Sequence, residues 1–454
     1  MPDLAALLSP HCPVTRDPAA LAAASTDKSG LVGAADVVAR PRTTDEVAAV
    51  LRLANEVPFI VVPRGAGTGR VGGAVPERGG VVLDLTGMDR ILEIDRAEQI
   101  ARVEPGVKLG ALQSACDAAG LFFPPDPASA KDCVVGGAVA TSAGGLSGVK
   151  YGTMKHYVLG LTVVLPTGEV VRTGARTRKC VTGYDITSLF VGSEGTLGVF
   201  TEITLRLVPK PESAATLAAW FDDEASARRG VSAALEVPAT PRALEFVDAR
   251  ALSAVADHAG RPEWKRRAAL VLVECDGAPA AVAAELALFE TALAAAGAEV
   301  ERAATKEGRD ALWAARRAIS PAVTARWPHR FAEDICVPRT RFVEMVGDLH
   351  LIAAANGLTA LGFGHAGDGN IHASILMERG DAEERARAKV AVAAVFSRAL
   401  ELGGTLSAEH GIAMAKREFL PLELSAANRA AQVAIKNALD PRGVLNPGKI
   451  FPGS

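Results

Sequence analysis

The chain has 454 residues, 49% hydrophobic and 22% charged, with a formal charge of −3. These totals fit two or three globular domains with ample core material and exclude a strongly basic nucleic-acid-binding protein. No stretch approaches about 18 uninterrupted apolar residues, so no transmembrane helix is expected. The N-terminus lacks a basic region followed by an apolar run, so no signal peptide is expected. The six cysteines form no C-x-x-C pair, which argues against an iron–sulfur cluster or zinc ribbon in this chain. The basic runs at 176–179 and 264–269 are short and read as solvated faces.

In chain order, "VVARPRTTDEVAAVLRLANE" is a short β-branched run, then Thr43 with Glu46 three residues on. That spacing predicts a capping box ahead of an amphipathic helix. "FIVVP" reads as a buried strand leading into a glycine loop, and "GGVVLDL" and "ARVEPG" as further strands. "VKLGALQSACDAAG" reads as a helix stopped by Gly120. "VLGLTVVLPTGEVVRTG" alternates around a Pro-Thr-Gly turn and predicts a hairpin; "GTLGVFTEITLRLVP" is another long strand.

A compositional seam at 207–220 separates this glycine- and valine-rich half from an alanine-rich one, and sets the expected domains at 1–210 and 211–454. Beyond the seam, "AALVLVECDG", "PAAVAAELALFETALAAAG" and "AEVERAA" read as strand, helix, strand. "EDICVP", "RTRFVEMVGDLHLIAAANG", "LTALGFGH" and "NIHASILM" add strand, helix, strand, strand. The fold class is α+β: a glycine-rich first domain, then an antiparallel sheet with helices on one face and a helical C-terminal segment.

Three segments carry glycine where chemistry wants bare backbone. Gly67–Gly72 matches G-x-G-x-x-G, but the loop runs into "GAVPERGG", which starts no helix, so a Rossmann site is not expected. Successive glycines still let N–H groups converge on phosphate oxygens. The other two segments, at 126–152 and 189–207, make turns alone a poor explanation.

"GFGHAGDGNIHASIL" places His365 and His372 seven residues apart in a chain with eight histidines. Gly362–His365 reads as a strand end and Ile371–Ile375 as the next strand, so the corner between them folds both imidazoles toward one centre. Two neutral imidazoles suit zinc or another divalent transition metal, and "SAEHG" offers Glu409 as a carboxylate ligand. The competing explanation is a pair of half-buried hairpin histidines.

Together the three glycine segments resemble the FAD-binding domain of the vanillyl-alcohol oxidase and p-cresol methylhydroxylase family. "LWAARRAIS", "EDICVPRTR", "GFGHAGDGNIH", "SAEHGIAMAKREFL" and "LDPRGVLNPGKIFP" resemble one branch: flavin D-lactate dehydrogenases, D-2-hydroxyglutarate dehydrogenase and the flavin subunit of glycolate oxidase. The resemblance implies a two-part FAD-binding domain, then a substrate and metal domain whose last residues return to the flavin. It implies that Arg64, Gly65, Ala66, Gly67 and Thr68 wrap the FAD pyrophosphate. Pro125, Ser129, Gly136, Gly137, Thr141, Ala143, Gly144, Gly145, Gly195, Val199 and Asn446 would line the rest. The first loop has no histidine, so FAD is expected to be held non-covalently.

The chemistry that follows is oxidation of a small D-2-hydroxy acid such as D-lactate. A divalent metal, zinc first among candidates, would bind His365, His372 and Glu409; His410 would act as general base; Arg316 would clamp the carboxylate. Relatives acting on D-2-hydroxyglutarate carry lysine at Ala332 and asparagine at Ser374, which favours a monocarboxylate here, although Arg326, His329 and Arg330 remain as substitutes. Ser142 also stands where many relatives have asparagine. Electrons would leave to an external acceptor: an iron–sulfur subunit, an electron-transfer flavoprotein, a cytochrome or a quinone. The expected location is the cytoplasm, or the membrane periphery through a partner. Two other readings stand beside this one: a glycolate-oxidase-type subunit active only in a complex, and a flavin electron-transfer subunit without substrate chemistry.

Overall fold

The computed structural model describes residues 3–303 and 305–453. The chain forms two compact units: Met1–Gly144, Gly152–Lys210 and Glu409–Ser454 make the first, Gly145–Tyr151 and Pro211–Ala408 the second. The crossing at Lys210–Pro211 lies on the compositional seam. The strap Gly145–Tyr151 and the return at Glu409 carry no such mark.

In the first unit, Val14–Thr15, Val37–Ala39, Val81–Asp84 and Val61–Arg64 lie side by side in that order, the last three parallel. A parallel pair needs a crossover, and the helix Thr44–Glu56 supplies it. Thr43 caps this helix by accepting the Glu46 N–H at 3.2 Å. Only that half of the expected capping box forms, because the Glu46 carboxylate takes the Arg42 N–H instead, at 2.6 Å. Val47, Val50, Leu51 and Ala54 pack from the helix onto Val61, Val81 and Leu83 in one buried core, each large side chain contributing about 1.5–3 kcal/mol.

A second, antiparallel sheet orders Ile91–Asp95, Ile100–Val103, Val199–Arg206, Val158–Val164 and Val170–Gly174. Its last two strands are the expected hairpin, Val164 opposite Val170. The glycine loop contains no helix between 65 and 80. The C-terminal return joins the first sheet, where the Val61 N–H donates to Val444 O and the Asn446 N–H to Val61 O, both at 2.8 Å.

The second unit is a seven-stranded sheet, antiparallel throughout. Its order is Glu299–Arg302, Ser213–Phe221, Ala269–Gly277, Ala243–Asp248, Thr359–His365, Asn370–Leu376, Arg330–Cys336. Helices Glu224–Glu236, Pro279–Ala295, Phe342–Ala355 and Ala382–Glu401 cover one face. The expectation of helices on that face alone needs correcting. Ala249–Ala259 and Lys306–Arg326 pack on the other, where Leu252, Val255, Trp313 and Ile319 bury Leu270, Leu272, Val247 and Phe363. The apolar residues of Lys306–Arg326 recur at helical spacing, but the helix also contains Pro321 and many charges, which hid its covering role. Residues 402–416 have no helix; Ala426–Leu439 does. No helix among the described residues is long and apolar enough to cross a membrane.

Candidate active site

The hairpin Thr359–His365 and Asn370–Leu376 brings its two histidines to one sheet face, as side-chain alternation requires. Phe363 lies opposite His372, and the His365 and His372 rings meet edge to face with centroids 5.2 Å apart. A ring nitrogen of each lies within 4.8 Å of the other's. Gly369 makes the corner: its φ is +89°, and a Cβ there would sit 1.9 Å from Val337 O.

Residues that the sequence reading passed over hold these rings. Glu245, fully buried in Ala243–Asp248, faces His365 across paired strands, its carboxylate 2.5 Å from His365 Nδ1. The other oxygen accepts Arg316 Nε at 2.7 Å and Nη2 at 2.6 Å. Burial would raise the Glu245 pKa, but the charges of His365 and Arg316 outweigh it and hold the carboxyl below its ordinary value. Arg316 is itself buried at 8% exposure and lies 4.9 Å over the Phe363 ring. It is therefore no surface charge. Two of its donors go to Glu245, leaving the Nη1 edge of the fork for a ligand. A carboxylate on Nδ1 is the arrangement that fixes an imidazole to present Nε2 to a metal.

A second buried carboxylate, Asp334, lies near the other ring at a longer distance. It lies opposite His372 in the sheet, fully buried, with Oδ1 3.7 Å from His372 Nδ1. Asn370 Nδ2 donates to Oδ1 at 2.7 Å, and the Ala408 N–H to Oδ2 at 3.0 Å. Ala408 is the residue before Glu409, so Asp334 holds the chain that leads into "EHG". Two imidazoles ringed by buried carboxylates form a donor set that fits a divalent transition metal. A lone apolar-strand carboxylate, as in "ALEFVD", was the signal available for Glu245.

Glu409 and His410 open the third segment of the first unit. A Cβ on Gly144 would stand 2.7 Å from Glu409 Oε1, so the Glu409 carboxylate lies against this glycine. Gly145, in contrast, belongs to the strap of the second unit.

Asn446 links three segments of the first unit. Its side chain donates to Gly73 O at 3.0 Å and to Glu194 O at 3.1 Å, which knits the glycine loop, the "GSEG" turn and the C-terminal return together. Asn446 Oδ1 and Ser193 Oγ are buried with no hydrogen-bond partner among the described residues. Gly67 and Gly195 both have φ +69°, and a Cβ on Gly65 would meet Val134 at 2.6 Å. Unsatisfied polar atoms beside bare backbone fit a phosphate-bearing dinucleotide. Three residues serve otherwise than their side chains suggest. The Arg64 guanidinium donates to Ala23 O and Thr26 O, at 2.9 and 2.8 Å, so the loop offers backbone there. Val199 is a core residue of its strand at 1% exposure, and Thr141 Oγ1 bonds back to Gly137 O at 3.3 Å. Gly136 lies against Pro105, where a Cβ would sit 2.5 Å away. Gly137 and Ala143 lie in or just after the short helix Val135–Ala140. Pro125 O accepts Gln113 Nε2 at 2.9 Å, and Ser129 O takes the N–H groups of Asp132 and Cys133.

Glycine-built cradle, buried-carboxylate site and two-unit fold together place the chain in a class. It belongs to the FAD-linked oxidases. Residues 210–450 match the family of FAD linked oxidases, C-terminal domain, and 35–174 match the FAD binding domain. Among its relatives, the glycolate oxidase subunit GlcD of Bacillus subtilis is 41% identical over 419 residues, 92% of this chain and 89% of that one. A D-lactate dehydrogenase of Anaerostipes hadrus is 35% identical, covering 93% of this chain and 91% of that one. The fold is that of p-cresol methylhydroxylase, at TM-score 0.80 and 20% identity over 99% of this chain and 95% of that one. The protein is thus a FAD-linked oxidoreductase with the p-cresol methylhydroxylase-type fold.

Proposed function

We propose that the protein oxidises a small D-2-hydroxy acid, D-lactate or a close analogue, to the 2-oxo acid. The observation that carries this reading is the buried Glu245 that joins His365 to Arg316. It sets a metal-ligand imidazole beside a guanidinium fork, the pair of groups that a hydroxyl and its neighbouring carboxylate need.

His365, His372 and Glu409 would hold a metal, zinc first among candidates, which would lower the pKa of the substrate hydroxyl. Arg64–Thr68, Gly136–Gly145, Gly195 and Asn446 would hold FAD non-covalently, and the flavin would supply the hydride acceptor. Arg316 binds the substrate carboxylate through its remaining N–H groups. His410 takes the hydroxyl proton as the C2 hydride departs, so the substrate loses two electrons and two hydrogens. The electrons then pass to an external acceptor, and we place the protein in the cytoplasm, or at the membrane surface through a partner.

The environment supports a monocarboxylate. Ala332 and Ser374 are paired on the His372 face and carry no positive charge. The three substitutes are engaged elsewhere. Arg326 bonds Ser253 Oγ at 3.2 Å, Arg330 bonds Trp327 O and Thr324 Oγ1, and the His329 ring lies against Gly380. The 41% identity to a glycolate oxidase subunit favours a second reading, activity only within a complex. The presence of His365, His372, Glu409 and His410 speaks against a purely electron-carrying subunit.

The test is the visible spectrum of the purified protein under anaerobic D-lactate, glycolate and D-2-hydroxyglutarate. D-lactate should bleach the flavin band near roughly 450 nm, a chelator should abolish bleaching, and metal should restore it. Bleaching by none of the three would move the reading to the complex-dependent subunit. A protein that no added FAD turns yellow would refute it altogether.

A further inference from the structure

The "GSEG" turn contains a buried carboxylate that the proposed chemistry does not use. Glu194 is 9% exposed and has φ +52°, a left-handed backbone that glycine adopts far more readily. Three bonds hold it there. Its N–H donates to Ala140 O at 2.8 Å, its carbonyl accepts Asn446 Nδ2 at 3.1 Å, and its Oε1 accepts the Ile412 N–H at 2.8 Å. Ile412 is two residues beyond His410. Between them Gly411, at φ +85°, lies so close that a Cβ would come 2.9 Å from the Glu194 carboxylate. Ala413 is also left-handed, at φ +31°. The next two N–H groups, of Met414 and Ala415, both donate to Val71 O, at 2.9 and 3.1 Å. The segment that carries His410 is therefore pinned to the first unit at two points, Glu194 and the glycine loop. Strained backbone recurs on both sides of the first pin. Lys416 and Lys449 are the cations whose charge reaches the carboxylate.

We infer that Glu194 is a positioning residue: its carboxylate fixes residues 410–412 and thereby sets the orientation of His410. This rests on the reading of His410 as the base. The alternative, a carboxylate that serves only folding or flavin retention, has no need of a left-handed glutamate aimed at the Ile412 N–H.

The experiment is stopped-flow reduction of the flavin in the FAD-loaded protein by D-lactate, for wild type, Glu194→Ala, Glu194→Gln, Gly411→Ala and His410→Ala. Displacing a catalytic group by about 1 Å costs on the order of 10²-fold. Glu194→Ala should therefore slow reduction by roughly 10- to 100-fold with KM nearly unchanged. Glu194→Gln keeps an oxygen for the Ile412 N–H and should recover most of the rate. Gly411→Ala leaves Glu194 in place but pushes its carboxylate aside, and should slow reduction as Glu194→Ala does, again with FAD retained. The inference fails if Glu194→Ala reduces within about twofold of wild type, if it purifies without FAD, or if Gly411→Ala is unimpaired. His410→Ala separates the two claims. If it stays fast, the base assignment itself has failed; if it is dead while Glu194→Ala is fast, only the positioning role has failed.

Discussion

The two units place their candidate functional residues by opposite means. In the first, the expected cofactor residues work by absence: glycines with positive φ, close backbone approaches, and an asparagine that bonds two carbonyls. In the second, they work by presence: Glu245 and Asp334, both fully buried, each lie opposite one histidine on a sheet face. Backbone cradles tolerate almost no added atom. Charged side-chain sites tolerate almost no removed one, because the partner is left buried and unpaired.

That contrast sets the size of what mutation should do. The largest effect is expected at His410. Replacing it with alanine should lower turnover by about 10²- to 10⁴-fold, the usual contribution of a general base, with the flavin spectrum unchanged. Anaerobic flavin reduction measures it, and a near-normal rate would remove the assignment.

Next in size is Glu245→Ala. It frees the His365 ring and strands Arg316, so metal affinity should fall by about 10- to 100-fold. Stability should fall by roughly 3–5 kcal/mol, the cost of breaking a buried ion pair from one side. Metal content after dialysis and urea unfolding check the two numbers separately. Retained metal with normal stability would show that the carboxylate braces nothing.

A smaller effect falls on the first unit, where two left-handed glycines can be compared. A Cβ on Gly67 would stand 2.2 Å from the Arg64 guanidinium, whereas Gly183, at φ +80°, has nothing within 4 Å. Gly183→Ala should cost only the conformational penalty, about 1–2 kcal/mol. Gly67→Ala should cost the same plus displacement of Arg64 from Ala23 O and Thr26 O, and should also lower the fraction of protein that retains FAD. Equal losses in both variants would show that the Arg64 contact is without consequence.

The same contrast explains what could be read from the sequence. Bare backbone leaves a visible trace, since glycines cluster wherever the chain must bend or approach closely, and the flavin segments stood out. The histidine pair was legible because both lie on one hairpin. Glu245 was not, because its partners lie 71 and 120 residues away along the chain, and only helix-on-sheet packing and strand pairing bring them together. Asp334 was visible as part of a motif but not as the residue opposite His372, for the same reason. The short strap Gly145–Tyr151 joins the second unit through Lys150 and Tyr151, which both bond Asp276, at 2.6 and 2.8 Å. No local pattern announces a link across that distance.

The last prediction concerns pH and two buried groups of the first unit. Burial pushes the Glu194 carboxyl up from 4.5 to about 7, against the opposing pull of the Ile412 and Ala413 N–H groups and of Lys416 and Lys449. Burial pushes Lys449 down from 10.5 to about 8. Between pH 4.5 and 7 the folded protein holds a proton on Glu194 that the unfolded chain has lost, so this group makes stability fall as pH rises through that window. The loss amounts to roughly 3 kcal/mol, and it persists above pH 7. Lys449 acts in the other direction and higher up. Between about pH 8 and 10.5 the unfolded chain carries the proton that the folded one has released, so stability rises with pH there. Urea unfolding of wild type against Glu194→Gln should show a difference that grows from pH 4.5 to 7 and is constant beyond it. A difference independent of pH would mean that Glu194 titrates as an ordinary exposed carboxyl. A growing one would mean that the first unit keeps a carboxylate where folding alone disfavours it, as expected of a residue retained to hold the His410 segment in place.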